Sequence, residues 1–308
     1  MKPLVSIAST CYNHAKFLDE YFDSVLSQTY KNIEIIIGDD NSTDGSQDIL
    51  KKYYKKYPDK IKILLNKENL GITQNASNIL RNCKGKYVAL ISTDDLMLPT
   101  KIEKQVSVLE RKKDVNICFH ELEVFYEDGN CILFSKINKY TPQKGNIREI
   151  IKYGTFMGSC SVMVRRKNIP FYFFDDRIKI ASDWKFLIDV VKDGEFYFIN
   201  EVLGKYRRHN ENVTYNKAVE TLNDHIVTCG ILMSEYSSYL EEIEYRLSDI
   251  FLEKGIALLK NNKDGFKEIK ASLHFRKTLK NVLLYILLNG GISFEKLEKI
   301  KNVLKKSL

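Results

Sequence analysis

No apolar run in this sequence is long enough to cross a bilayer. The longest, Val282 to Leu288, has seven residues, against roughly 20 for a spanning helix. No signal-peptide pattern is present, because Met1-Lys2-Pro3 leads straight into a strand-like run. The six cysteines, at positions 11, 83, 118, 131, 160 and 229, form no CxxC pair and no zinc spacing. Buried reduced thiols of a cytosolic protein are therefore expected in place of a disulfide frame. Glycine-rich phosphate loops are missing too. Neither GxGxxG nor GxxxxGK followed by Ser or Thr occurs, so dinucleotide oxidoreductases and P-loop NTPases drop out.

What remains is a chain of 308 residues, 44% hydrophobic and 29% charged. That is the composition of a folded soluble protein with one large domain or two smaller ones. Its net charge of +8 is unevenly placed. Residues 251–308 hold 13 Lys or Arg and 5 Asp or Glu, and the first 250 residues are neutral. A basic tail on a neutral body points to a surface partner for the tail.

The first hundred residues alternate strand and helix patterns. Compact apolar runs at Leu4–Ala8, Ile33–Ile37, Ile61–Leu65 and Tyr87–Ile91 are separated by segments of helical spacing. This rhythm implies parallel strands joined by right-handed crossovers, a doubly wound α/β sheet with ligands beyond the carboxyl ends of its strands. From about 115 the period changes. Extended pieces are expected at 115–119 and 122–126, with a hairpin partner at 131–134 after the turn Glu127-Asp128-Gly129-Asn130. A helix near 145–152, a strand near 160–165, a helix over about 182–192 and strands at 196–199 and 202–206 follow. Beyond about 216 nearly everything reads as helix, broken at Asn261–Gly265 and Asn289–Ser293.

Three carboxylate clusters fall where strands end or a helix opens. They are Asp39-Asp40-Asn41-Ser42-Thr43-Asp44-Gly45, Ser92-Thr93-Asp94-Asp95 and Ser182-Asp183-Trp184. Asp44 and Asp183 also read as helix N-caps. Two acidic pairs at one sheet edge repel unless a cation or hydrogen-bond donors offset them. All-oxygen ligands favour Mg²⁺ or Mn²⁺ shared with a phosphate-bearing substrate.

In this order the motifs resemble the family-2 glycosyltransferases, inverting nucleotide-sugar enzymes with the GT-A fold. Thr10-Cys11-Tyr12-Asn13 follows the first strand. Ser27-Gln28-Thr29-Tyr30 precedes the Asp39–Gly45 signature. Then come Asn69-Leu70-Gly71-Ile72-Thr73 with Asn75, Gly85-Lys86-Tyr87, the Ser92–Asp95 segment with Pro99, Ser182-Asp183-Trp184, and Tyr206-Arg207-Arg208-His209. The resemblance covers about residues 3–214. It implies a GT-A type doubly wound, mostly parallel sheet with an antiparallel extension, followed by a C-terminal helical region. The catalytic domain would span 1–214, with nucleotide-sugar binding over about 1–110 and the acceptor side over about 111–214. Residues 215–308 form the helical, basic C-terminal region.

The resemblance assigns nucleotide-sugar binding to Thr10, Tyr12, Asn13, Asp40, Asn75, Asp94, Arg207 and His209. Tyr12 stacks on a base face or packs as an ordinary aromatic. Asp40 accepts from the N3–H of uracil, a donor cytosine lacks, which favours UDP. Asp95 is the expected metal ligand, with Asp94 nearer the ribose or sugar. Ser92 replaces the first acid of the family's D-x-D, which leaves the division of labour between the two aspartates open. Asp183 is the candidate general base, taking the acceptor's proton. Trp184 is an acceptor platform or core. Arg207, Arg208 and His209 balance charge growing on the leaving diphosphate. The other four histidines read as incidental.

The tail has apolar faces at Leu279, Val282, Leu283, Ile286, Leu287 and at Leu297, Ile300, Leu304, the latter among lysines. These are helices packed on the catalytic domain, or a peripheral contact of 276–308 with an anionic membrane. Nucleic acid is not expected, since the basic stretch lacks interleaved aromatics. The expectation is a cytoplasmic, metal-dependent hexosyltransferase, peripheral on the inner face of the membrane if the tail binds there. It would move sugar from a UDP-sugar to a glycan or lipid-linked acceptor in bacterial surface polysaccharide synthesis. The alternatives are a sugar-1-phosphate nucleotidyltransferase, whose basic N-terminal loop is reduced here to Lys16, and a non-catalytic UDP-sugar-binding subunit.

Overall fold

The computed structural model describes residues 2–138, 140–210, 212 and 216–296. It divides into two compact units, Met1–Asn212 and Val213–Leu308. The first begins with β1 (Val5–Cys11), α1 (Leu18–Leu26), β2 (Ile33–Asp39), α2 (Ser46–Lys56), β3 (Ile61–Leu65), α3 (Ile72–Asn82) and β4 (Tyr87–Ser92). β1, β2 and β4 are buried almost throughout, as parallel strands covered on both faces must be. β1 lies between β2 and β4 and runs parallel to both, and β3 extends the sheet from β2. Tyr21, Phe22 and Val25 of α1 join Val5, Ile7, Ile35, Ile37 and Ala89 in the principal core.

The chain continues through β5 (Leu96–Met97), α4 (Lys101–Arg111), β6 (Val115–Tyr126), β7 (Cys131–Leu133), α5 (Phe134–Ile137), β8 (Lys144–Gly145), α6 (Ile147–Tyr153), β9 (Met163–Arg165), α7 (Asp183–Val191) and β10 (Glu195–Arg208). The sheet order is β3-β2-β1-β4-β9-β6-β10-β5, with β7 paired to β6 and β8 to β10. β9 is antiparallel to both β4 and β6, while β6 and β10 are parallel. The mostly parallel sheet with an antiparallel extension is thus present. Two expected pairs of short strands are single strands, β6 and β10. In β10 the polar Asn200-Glu201 interruption is taken up by register shifts between Ile199 and Gly204, where a bulge keeps the strand continuous. Cys131 is exposed, unlike the other five free cysteines. It sits on β7, which is exposed along its length.

Among the described residues the second unit carries α8 (Ala218–Glu235), α9 (Leu240–Lys260), α10 (Phe266–Phe275) and α11 (Leu279–Asn289). Phe251 stacks on Phe275, and the Ser248 hydroxyl donates to the Ser272 carbonyl at 2.9 Å, which fastens α9 to α10. On α11, Leu279, Leu283 and Ile286 are exposed, a stripe at i, i+4 and i+7. The second stripe, Leu297, Ile300 and Leu304, lies outside the described residues. Among the described residues no helix is long and apolar enough to cross a membrane.

Candidate active site

The carboxyl ends of β1, β2 and β4 coincide because their registers align. Thr10 lies opposite Gly38 on one side and Ser92 on the other. The turns that follow, carrying Tyr12 to His14, Asp40 to Asp44 and Thr93 to Asp95, therefore share one edge, where the strand order reverses about β1 and ligands bind in such sheets. The Thr10 carbonyl accepts from the Thr93 N–H at 3.0 Å. Tyr12 is 47% exposed, so it is not a packed aromatic and its ring is open to stacking. Asn13 takes a left-handed φ of 55°, which Asn tolerates. Its side-chain Oδ1 accepts from the Thr43 N–H at 2.9 Å, and its own backbone N–H donates to Ser42 Oγ. Asn13 is a fastener between two turns.

Asp40 is buried, and its carboxylate receives three hydrogen bonds. Asn66 Nδ2 and the Leu70 N–H reach Oδ1 at 3.0 and 2.8 Å, and the Gly71 N–H reaches Oδ2 at 2.9 Å. A carboxylate has about four acceptor positions, so one is left on Oδ2 for a ligand donor. Gly71 has φ 84°, a conformation that suits glycine. Asn75 stands behind Asp40: its amide donates to the Gly38 carbonyl at 2.9 Å and its oxygen accepts from Asn66. A Cβ on Gly38 would lie 2.5 Å from Asn75 Oδ1, so only glycine lets α3 approach this closely. Asn75 is placed as a brace for Asp40.

Asp94 is buried with Oδ2 3.0 Å from His209 Nε2. A carboxylate only accepts, so Nε2 carries the proton. Asn212 Nδ2 lies 3.4 Å from the same oxygen, and His14 Nε2 lies 3.9 Å away. Burial alone would raise the Asp94 carboxyl, but the His209 hydrogen bond and the His14 charge bring it down to about 2. Oδ1 is buried and accepts no hydrogen bond among the described residues. Asp95 accepts from the Arg207 N–H at 2.9 Å, and burial together with the adjacent Asp94 charge pushes its carboxyl well up.

Those two features fit a cation. An acceptor oxygen without a donor and a like-charged neighbour are what a positive ion at this turn would relieve. Among the described residues no three His, Cys, Asp or Glu side chains converge as a ligand set. The turn therefore offers only part of a coordination shell, as sites do that share Mg²⁺ or Mn²⁺ with substrate phosphates.

Arg207 is more constrained than its sequence context suggests. Its guanidinium lies over Phe17 and Phe125, 4.6 and 4.5 Å from the ring centres. Nε donates to the Asp94 carbonyl at 2.9 Å and a terminal nitrogen pairs with Glu20. Arg207 fixes the turn, and Arg208 lies over the Tyr206 ring at 4.7 Å.

The third cluster reaches the same edge through α3. Thr73 Oγ1 lies 2.7 Å from the Ile178 carbonyl, 3.0 Å from the Lys179 carbonyl and 2.8 Å from Ser182 Oγ. Asp183 follows as the first residue of α7. Its Oδ1 accepts from the Trp184 N–H at 2.9 Å, while Oδ2 receives no hydrogen bond among the described residues. Burial raises its carboxyl, partly offset by the Trp184 N–H. Asp44 is not the N-cap either, a place that Gly45 takes; it fastens two turns, with Oδ1 accepting from the Ser46 N–H at 3.0 Å and Oδ2 from the Ala15 N–H at 2.8 Å. Trp184 corrects an expectation. It is fully buried, and Nε1 donates to the Ile150 carbonyl at 2.8 Å. It locks α7 to α6 and cannot be an acceptor platform.

His14, Asn66, Thr73 and Asn212 were not legible as site residues. His14 is not incidental: Nδ1 lies 2.9 Å from Thr93 Oγ1 and its backbone N–H donates to Ser46 Oγ. Its place just after Tyr12-Asn13 on the edge shared with Thr93 is the signal that could have found it.

The glycosyl transferase family 2 profile matches residues 6–169, which contain the first two carboxylate clusters. The chain belongs to that family. It is 30% identical over 216 residues to an uncharacterized glycosyltransferase of Methanocaldococcus jannaschii, covering 68% of this chain and 73% of the relative. It spans 61% of the length of uncharacterized relatives in Mycobacterium. Among solved structures, the 1–349 fragment of S. aureus TarS in complex with UDP is 15% identical with a TM-score of 0.59, covering 79% of this chain and 70% of that one. The mannosyltransferase PcManGT of Pyrobaculum calidifontis, in complex with GDP-Man and Mn²⁺, is 13% identical with a TM-score of 0.57, covering 94% and 80%. At such identities these structures bear on the fold, which is GT-A-like.

Proposed function

We propose that this family-2 glycosyltransferase is an inverting, metal-dependent hexosyltransferase that moves sugar from a UDP-sugar to a hydroxyl of a glycan or lipid-linked acceptor in bacterial surface polysaccharide synthesis. The observation that carries the reading is Asp183. A carboxylate with one oxygen committed to the Trp184 N–H and the other uncommitted is oriented and available at once. Its raised proton affinity suits a general base.

In the reaction, the acceptor oxygen forms a bond to the anomeric carbon as the bond from that carbon to the diphosphate oxygen breaks. The hydroxyl proton passes to Asp183 Oδ2, and UDP leaves with the electron pair. Tyr12 offers a face to the base, and the remaining Oδ2 position of Asp40 accepts from the uracil N3–H. Asp94 Oδ1 and Asp95 would hold Mn²⁺ or Mg²⁺, which supplies positive charge to the diphosphate when bound. His209 and Asn212 orient Asp94, and His14 Nε2 stands 3.9 Å from the same carboxylate oxygen.

A nucleotide-release screen across UDP-, GDP- and CDP-sugars with divalent metal tests the reading. UDP release from one UDP-sugar is the expected result. The N1–H of guanine could also serve Asp40, so turnover of a GDP-sugar alone would overturn the UDP assignment. Pyrophosphate release from UTP and a sugar phosphate would overturn the transferase reaction itself.

A further inference from the structure

The segment between β9 and α7 carries Phe171, 91% exposed, and its neighbours hold it out. The Tyr172 hydroxyl donates to Asp189 Oδ2 at 2.6 Å, and Asp189 is paired with the fully buried Lys185. Phe173 takes φ 66°, unusual for a bulky side chain, with the Arg81 guanidinium 5.0 Å from its ring centre. Phe174 is buried against Phe186, and its N–H donates to Ser77 Oγ. With the three residues that follow it anchored, Phe171 is held on the surface.

Exposed cations lie on the neighbouring end of α3 and the turn after β9. Arg81, Lys84, Arg166 and Lys167 are all exposed. Arg166 Nε donates to the Gly85 carbonyl at 2.8 Å, which brings the turn after β9 beside Lys84. Of the acids in the segment, Asp175 is paired with Arg177 at 2.6 Å and Asp176 is exposed.

We propose that this face docks the catalytic unit on an anionic lipid surface, with Phe171 in the boundary between headgroups and acyl chains and the four cations over lipid phosphates. Aromatic rings and Lys or Arg are the side chains that settle at that boundary. The ring stands at a protruding tip and not in a basic groove, where a nucleic acid would need its stacking platform. Tyr87 pairs with Arg165, so Lys84 and Arg166 lie at the start of β4, opposite the edge that carries Asp94 and Asp95. Docking here leaves the donor edge facing water, where nucleotide-sugars dissolve. The inference rests neither on the transfer reaction nor on the basic tail.

Cosedimentation of the full chain with phosphatidylcholine vesicles, with and without phosphatidylglycerol, provides the test. Binding to the anionic vesicles only, weakened by salt, is expected. Phe171→Ser should weaken it about tenfold, and Phe171→Trp should restore it. Lys84→Gln and Lys167→Gln should each cost about fivefold. Donor hydrolysis should be unchanged in all four variants. Phe171→Ser binding as tightly as the wild type would overturn the proposal, as would no vesicle binding at all or single-stranded DNA outcompeting the vesicles.

Discussion

Thr73 and Ser182, separated by 109 residues in sequence, bring their hydroxyl oxygens to 2.8 Å. Thr73 lies in the first turn of α3, whose approach to β2 supports Asp40, and Ser182 immediately precedes Asp183. One buried threonine thus ties the nucleotide side of the edge to the candidate base. Thr73→Val keeps the shape but strips its partners of hydrogen bonds, which should cost about 1–3 kcal/mol. Turnover should fall more than donor affinity, as separate kinetic and binding measurements would register.

Asp183→Asn should lower transfer about 10²–10⁴-fold while leaving donor affinity nearly unchanged. More than about a tenth of wild-type transfer would mean that the base lies elsewhere. Stability gives an independent check. Burial raises the folded carboxyl above its ordinary 3.8, so the protonated form is favoured by folding. That contribution is fully present below 3.8 and is lost as pH rises through the raised folded value. The Asn variant should therefore be at least as stable as the wild type at neutral pH, with the gap closing in acid, as thermal melts at several pH values would reveal.

UDP should bind more tightly with Mn²⁺ or Mg²⁺ than in EDTA. Asp94→Asn and Asp95→Asn should each remove most of that metal-dependent gain in a calorimetric titration. Equal affinity with and without metal would eliminate the cation from the site.

Asp40→Asn should weaken uridine binding about tenfold or more, the loss of a hydrogen bond to a charged acceptor. Uridine carries no phosphate, so the titration isolates base recognition. Unchanged uridine affinity would remove Asp40 from the base site.

Trp184→Phe deletes the bond to the Ile150 carbonyl and leaves space between α6 and α7, at a cost of about 1–3 kcal/mol. The Michaelis constant for acceptor should not change. A rise in that constant without loss of stability would restore Trp184 as an acceptor contact.

The strands of the nucleotide half were legible because β1, β2 and β4 are short apolar runs bounded by polar turns, a pattern local in sequence. The acid clusters were legible for the same reason: consecutive residues at a strand end can only emerge at that edge. Nothing local distinguished Trp184 from a surface platform. Its fate depended on α6, more than thirty residues earlier, supplying the Ile150 carbonyl. β10 appeared broken because its polar interruption is absorbed by register shifts that only its partner strand defines.

Residue order alone was enough for the alternating pattern, the missing phosphate loops and the placing of Asp40, Asp94 and Asp183 at element ends. Such features follow from side-chain period and chain direction, which fewer than about ten neighbouring residues specify. Pairing was decided in three dimensions. His14 reached Asp94, Arg207 was trapped between Phe17 and Phe125, and Thr73 found Ser182. The reason is physical: a hydrogen bond or ring contact needs atoms within a few ångströms, and for residues this far apart in the chain only strand register and helix packing bring them that close.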